Sequence, residues 1–398
     1  MKVAFVVESF DTAQDASGGV RLSVRKQADV LSRRHDVVVI APHKVFPPLG
    51  RYSAMRRGRG QWPGFRSREE NVRVYRPLLV HLPVLGGVLE PAQLVLFILA
   101  VCSLWERGVS LIHAHRCYPA GYAATLAAPL LRLPVLLTVY GSDVNAGLNR
   151  KAVGRWVSFA TRQSLRRAGA VIAVSRALAE RVRTVRAAAL AVGVVPSGVD
   201  LSELGQSGRE EARARLSLRA DSRVILFAAN LVPVKDPLTM LRAFGLLRDR
   251  RKDVLLAVLG RGEMEGAVSG ECRSLGLSDS VMLLGRRPRE EVPLWLAASD
   301  VVALSSTEEG CPVIALEGFA SGRPFVGTAV GGLPEVVPEG TGILVEARNP
   351  AALAGALEEA LNRAWNEEGL AAHGRKFSWE SVVAEIEAVY AGLKSGEA

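Results

Sequence analysis

A chain of 398 residues is too long for one hydrophobic core and points to two domains. With 49% apolar and 23% charged residues it can bury large cores, which excludes a disordered or low-complexity protein. The net charge of +10 is unevenly spread: residues 1–200 hold 28 Lys and Arg against 12 Asp and Glu, and residues 201–398 hold 22 against 28.

The first ten residues, MKVAFVVESF, lack the long apolar core and small-residue cleavage site of a signal peptide. They read as a buried strand, and the expected location is the cytoplasm. The four cysteines, Cys102, Cys117, Cys272 and Cys311, form no C-x-x-C pair and read as reduced thiols. Gly18 and Gly19 precede VRLSVRKQADVL, an amphipathic helical pattern. They form either an ordinary strand-to-helix turn or one that presents backbone N–H groups to an anion.

Between residues 44 and 76 stand nine basic side chains and two acidic ones, followed by LEPAQLVLFILAVCSLW at 89–105. Two readings compete: a solvated loop with a core helix, or a face spanning 44–105 that lies peripherally on an anionic membrane. The uncharged run 91–105 falls short of the ~20 residues needed to cross a bilayer. The basic segment has few aromatic residues and no recognisable nucleic-acid motif, so no nucleic-acid partner is expected.

Short apolar runs then alternate with helical patterns: KVAFVV, DVVVI, SLIHAH, PVLLTVY, AVIAVS, RVILFAA, DVLLAVLG, SVMLLG, DVVALSS and PFVGTAV. Runs without polar alternation are how strands buried on both faces of a parallel sheet read. The class is therefore α/β, with two Rossmann-like doubly wound parallel-sheet domains. A break at VVPSGVD, 194–200, divides residues 1–196 from 197–375, and 376–398 ends in a helix expected to pack back toward the first domain. Ligands of such sheets bind at the carboxyl ends of strands, in a cleft if the two domains face each other.

In STEEGCPVIALEGFASGRP, 306–324, a strand ending near Ser306 leads through a turn to a helix. Pro312 suits the first helical position and Gly322 the stop. Glu309 then sits at the ligand-binding edge and Glu317 about two turns into the helix. A dipole-favoured carboxylate and a solvated helix residue would be the plain reading. The apolar flanks of Glu317, VIAL and GFA, argue instead for a carboxylate that accepts hydrogen bonds from hydroxyls. His113 and His115 stand at i and i+2 on one strand face, but no clustered carboxylate or further histidine is near in sequence, so no metal is expected. GRGEMEG, 260–266, has G-x-G-x-x-x-G spacing in mid-chain, unlike a dinucleotide fingerprint.

The stretch EGCPVIALEGFASGRPFVGTAVGGLPEVV resembles the donor-binding segment of retaining glycosyltransferase family 4, of GT-B architecture. SGGV, IHAH, YGSD, VVPSGVD, LVPVKDP and LGRGEME fall in that family's order, so the resemblance covers nearly the whole chain. It implies that Glu317 holds the ribose of a nucleotide-sugar, Glu309 faces the sugar, and Lys235 meets the departing diphosphate. Asn230, Pro312, Val313, Gly331, Gly332, Gly18 and Gly19 would line the donor site, and the backbone around Arg286 would seat the nucleobase. Asp143 and Tyr140 would act in or beside the reaction, with His113 and His115 in the cleft wall or simply packed.

Two departures stand out. Ala229-Asn230 replaces a frequent Gly-Arg, which removes a bidentate phosphate clamp, and Tyr140 replaces a frequent histidine. No cofactor or metal is implied beyond the nucleotide-sugar itself. YPAGYAA and NLVPVKD resemble envelope-polysaccharide enzymes of teichuronic-acid type, which implies a glycan or lipid-linked acceptor. A nucleotide-sugar epimerase of the same architecture and a non-catalytic sugar-nucleotide-binding scaffold are the rival readings.

Overall fold

A computed structural model describes residues 1–10, 19–45, 64–82, 86–185 and 191–395. The chain divides into two compact units, Met1–Pro196 with Val382–Ala398, and Ser197–Ser381. The final segment thus joins the first unit at Val382, later than the expected 376. The residues just before it are tied to the second unit, where Val199 N donates to Phe377 O at 2.8 Å.

The first unit holds β1 (Lys2–Val6), β2 (Asp36–Ile40), β3 (His43–Val45), β4 (Arg66–Glu69), β5 (Val72–Tyr75), β6 (Leu78–Val80), β7 (Leu111–His115), β8 (Val135–Val139), β9 (Ala170–Ala173) and β10 (Val192–Val194). Its main sheet runs β10-β9-β8-β7-β1-β2-β5-β4, with β3 and β6 in a separate parallel pair. All its pairs are parallel except β4 with β5. Glu387 and Tyr390 of the last helix, Trp379–Ser395, bond to His35 and His113 at 2.8 and 2.7 Å.

The second unit holds β11 (Arg223–Ala228), β12 (Val254–Leu259), β13 (Val281–Gly285), β14 (Val301–Ala303), β15 (Phe325–Thr328) and β16 (Gly342–Val345), in the order β13-β12-β11-β14-β15-β16. This is the Rossmann order, with its reversal between β11 and β14. In the first sheet the reversal lies between β1 and β7. All ten apolar runs form strands. The strand in SDVVALSS stops at Ala303 and not near Ser306. Beyond it the chain binds the loop after β11: Ser305 Oγ donates to Asp236 O at 2.7 Å and Thr307 N to Val234 O at 2.8 Å.

The apolar run 89–105 folds as a helix, Gly86–Ala100, continued by a π-helical turn, Val101–Trp105. Val88–Trp105 has the length and composition of a membrane span, so the expectation that it is too short does not hold. It is nevertheless a component of the first unit. Leu94, Ile98 and Val101 on its inner face are fully buried.

At the amino ends of the two central strands of the second sheet, buried Asp300 gathers β11 and β14. Its Oδ2 accepts from Arg213 Nη2 and Val224 N, both at 2.7 Å, and its Oδ1 accepts from Arg209 and, at 3.0 Å, from Arg223 Nη1. Asp300→Ala should strand the buried Arg213 and lower unfolding stability by about 3–5 kcal/mol, read as a fall in denaturant midpoint. A change below about 1 kcal/mol would show that the cluster does not clamp the strands.

Candidate active site

Lys235 and Glu309 come from the two loops that leave β11 and β14 at the reversal of the second sheet. Lys235 ends a short 3-10 turn, Pro233–Lys235. Its Nζ donates to Glu309 Oε1 at 2.5 Å, and the buried Ser306 Oγ donates to the same oxygen at 2.6 Å. Gly331 and Gly332 close on the backbone of Glu309 from the loop after β15. Gly332 N donates to Glu309 O at 3.2 Å. Gly331 has φ +54°, and a Cβ there would lie 1.8 Å from the Glu309 carbonyl oxygen, so the approach requires glycine.

The helix after Glu309 is Val313–Ala320, which makes Pro312 its N-cap residue and not its first helical residue. Pro312 is buried and Val313 half-buried. Gly322, at φ +72°, ends it in a Schellman motif: Arg323 N donates to Gly318 O and Gly322 N to Phe319 O, both at 2.8 Å. Glu317 is the fifth residue of this helix, little more than one turn in. It is buried, and burial pushes its carboxyl upward against the opposing pull of Arg289. Arg289 Nη2 donates to Glu317 Oε1 at 3.0 Å, and its Nε to Glu203 Oε2 at 3.2 Å. Arg289 and Ser306 were not singled out in the sequence. Arg289 stands 28 positions before its partner, and only the fold joins them.

Asn230 is exposed beyond β11. Nearby, Gly260 and Gly262 lie against backbone: a Cβ would meet Ala229 O at 1.8 Å and Leu231 O at 2.2 Å. A cavity of about 330 Å³ is lined by Gly260, Arg261, Gly266, Ser269, Leu283 and Gly285, among others. Arg286 follows that wall and is exposed.

The remaining candidates cluster in the first unit. Gly19 opens the helix Gly19–Leu31 and so lies inside it; Gly18 falls outside the described residues. Asp143 is buried in the first turn of the helix Ser142–Leu148. Its carboxylate accepts from the backbone N–H of Tyr140 (3.0 Å), Gly141 (3.1 Å) and Cys117 (3.2 Å), which makes it the organiser of the turn after β8. Tyr140 OH lies 2.8 Å from His115 Nδ1. His113 Nδ1 lies 2.7 Å from Tyr390 OH, and its Nε2 lies 2.7 Å from Thr138 Oγ1.

The two imidazoles stack with centroids 4.3 Å apart. Burial lowers His115 to about 3 and holds His113 well below the usual range, with His115 adding to the effect, so both are neutral. Burial, with Asp143, pushes the Tyr140 phenol upward. His115 Nε2 is buried without a hydrogen-bond partner among the described residues. No group of three or more His, Cys, Asp and Glu is placed to hold a metal ion among the described residues. At the reversal of this sheet Arg116, at φ +74°, donates to Glu8 at 2.7 Å. Neither was anticipated, although both flank apolar runs that the sequence marked as strands.

Gly331→Ala should destabilise the second unit by more than about 1 kcal/mol, because it combines strain at positive φ with a backbone collision. Equal denaturation midpoints would show that the loop yields at no cost. The histidines set a pH dependence. The unfolded chain takes up a proton on His115 near 6.5, whereas the folded chain does so only near 3. Its contribution to stability is therefore complete above 6.5 and declines as the pH falls toward 3. His115→Asn should flatten the loss of melting temperature below pH 6.5, and an unchanged slope would assign that loss to other groups.

Comparison with known proteins supplies the family. A model described as glycosyl transferases group 1 matches residues 208–377, and a glycosyl transferase 4-like domain matches residues 18–198. A D-inositol 3-phosphate glycosyltransferase of Streptomyces scabiei is 30% identical over 326 residues, 75% of this chain and 72% of that protein. A like-named protein of Paenarthrobacter aurescens is 34% identical over 202 residues, so this chain spans about half its length (48% of this chain, 50% of that protein). TuaC of Bacillus subtilis, named for teichuronic acid biosynthesis, is 26% identical over 364 residues, 90% of this chain and 88% of that protein.

Among solved structures, sucrose-phosphate synthase of Thermosynechococcus elongatus superposes with a TM-score of 0.79 at 20% identity, covering 99% of each chain. HepE of Anabaena, in complex with UDP-glucose, gives 0.73 at 19% identity, covering 98% of this chain and 100% of its own. The two doubly wound domains with these family matches establish that the chain belongs to the GT-B glycosyltransferases built from a 4-like domain followed by a group 1 domain.

Proposed function

We propose that the protein transfers a sugar from a nucleotide-sugar donor to a glycan or lipid-linked acceptor of the cell envelope, with retention of anomeric configuration. The observation that carries this reading is the Lys235–Glu309 pair at 2.5 Å, placed at the strand-order reversal with the glycine loop 331–332 against it. A nucleoside diphosphate gains negative charge as it departs. A fixed ammonium then stabilises the transition state more than the ground state. Lys235 takes that role, beside the glycine loop.

Glu309, held by Lys235 and Ser306, faces the sugar hydroxyls and the carbon that acquires oxocarbenium character. The acceptor hydroxyl enters on the face from which the diphosphate leaves, and its proton passes to the departing phosphate oxygen. Glu317 accepts from the ribose hydroxyls, which replace the Arg289 contact. The cavity beside Gly260 and Gly285 has room for the base. Support for a nucleotide-sugar donor comes from the UDP-glucose complex of HepE, and support for an envelope acceptor from the name of TuaC.

The inositol-phosphate relatives favour a second reading of the acceptor, a small phosphorylated polyol. It differs from the first in that the product is water-soluble and bears a phosphate. Epimerisation would return an altered free sugar nucleotide without any acceptor, and a scaffold would bind donor without turnover.

A panel of UDP-, GDP- and ADP-sugars should reveal one donor that raises the melting temperature, since a ligand at a hundred times its Kd stabilises by about 2.7 kcal/mol. With that donor, Lys235→Ala and Glu309→Gln should retain the fold and lower kcat about a hundredfold or more. Wild-type rates in either variant would remove that residue from the reaction. NMR of the product reads the anomeric configuration, and inversion would overturn the retaining mechanism.

A further inference from the structure

The helix Val88–Trp105 has two apolar faces, and the fold uses one. Leu94, Ile98 and Val101 are fully buried, whereas Val88 is 48%, Leu96 67%, Leu104 66% and Trp105 47% exposed. Val88, Ala92 and Leu96 repeat at a spacing of four and share one outward stripe. The small sheet of β3 and β6 adjoins it. Gln93 Nε2 donates to Val80 O at 3.0 Å and Gln93 Oε1 accepts from Val80 N at 2.9 Å, fastening the sheet edge to the helix. There Val45 and Val80, a directly paired couple, are both exposed. Exposed apolar side chains gathered on one helix face and its adjoining sheet edge point to an interaction site.

Charge identifies what covers it. The carboxylates at the two ends of the helix are turned inward and paired. Glu90 is buried and accepts from Lys44 Nζ at 2.6 Å, and Glu106 is buried and accepts from Lys2 Nζ at 3.1 Å and Tyr75 OH at 2.7 Å. The cations face outward: Arg66, Arg68 and Arg107 are exposed. Arg66 lies over the Tyr75 ring, 5.4 Å from its centroid, and Tyr75 stacks on Trp105 at 6.2 Å. The exposed indole therefore shares an aromatic stack with the Arg66 guanidinium. An aromatic ring at the rim of a greasy face, beside arginines, is how a protein sits at the boundary between acyl chains and anionic headgroups.

We propose that this face docks the protein on an anionic lipid bilayer, with the outer stripe of Val88–Trp105 in the acyl boundary and Arg66, Arg68 and Arg107 among the headgroups. The helix lies along the surface and does not cross it, because its inner face belongs to the core of the first unit. This docking is separate from the transfer chemistry and would persist in a variant without turnover.

Sedimentation of the full chain with phosphatidylcholine–phosphatidylglycerol vesicles tests it. Expected are binding at low salt, weaker binding as salt is raised, and little binding to phosphatidylcholine alone. Leu96→Glu with Leu104→Glu should weaken binding about tenfold or more, since each buried leucine contributes about 1.5–3 kcal/mol. Arg66→Ser, Arg68→Ser and Arg107→Ser together leave the buried Leu94, Ile98 and Val101 unchanged. They should reduce the preference for anionic lipid by about fivefold per charge. Failure of the wild type to sediment with anionic vesicles at low salt would overturn the proposal. So would vesicle-independent self-association, seen by light scattering and lost in the leucine variant, which would assign the face to a second copy of this chain.

Discussion

At the carboxyl ends of β11 and β14 the chain leaves the second sheet in opposite directions. The strands that follow β11 add on one side, and those that follow β14 add on the other. No crossover helix can cover both ends, so a crevice of loop backbone stays open at that edge. Lys235 and Glu309 lie in those two loops, and Ser305 and Thr307 bind one loop to the other through backbone carbonyls. The ammonium and the carboxylate are therefore fixed by the sheet itself. A group stabilises developing charge best when it needs no reorganisation at the moment of reaction.

The two units solve the problem of buried polar groups in different ways. In the second, charge is kept. Glu309 and Glu317 are buried, and each is held by a cation, which offsets much of the cost of removing it from water. A carboxylate oxygen held in this way can accept from hydroxyl groups. In the histidine cluster of the first unit, charge is removed. His113, His115 and Tyr390 are buried, and Tyr140 half-buried, as neutral rings paired by hydrogen bonds, and Asp143 accepts from three backbone N–H groups. That arrangement explains why Tyr140 can stand where the resemblance led one to expect histidine. A phenol continues the network to His115 Nδ1 without introducing a proton that burial would expel.

Nearly all of the ten strands visible in the sequence are covered on both faces, such as VVVI in β2 and VILF in β11, with the edge strand β13 the exception. Burial on both sides erases alternation and leaves a solid apolar run. The strands that were missed lack that signature. β4 is RSRE, antiparallel at the sheet edge, and β3 is HKV in a two-stranded pair. β10 and β16, VGV and GILV, are short, half-buried edge strands. Their pairing is decided by neighbours far along the chain. The site was legible to the same degree. The spacing of Glu309 and Glu317 and the position of Lys235 follow from local order of strand, turn and helix. The partner of Glu317 comes from a 3-10 turn 28 positions upstream, and no periodicity encodes that contact.

The run 89–105 shows why composition alone left two readings open. An amphipathic helix announces its buried face because its other face is polar. Here Leu94 and Ile98 face inward and Val88 and Leu96 face outward, all apolar, so no contrast marks which side meets the core. The core-helix reading describes the inner side of the cylinder, and the outer side is apolar as well. What distinguishes the sides is the position of the acids. Glu90 and Glu106 close the ends of the run, and both turn inward to meet Lys44 and Lys2. The outer side keeps leucine, valine and tryptophan, with arginine at its margin, a composition that water does not favour.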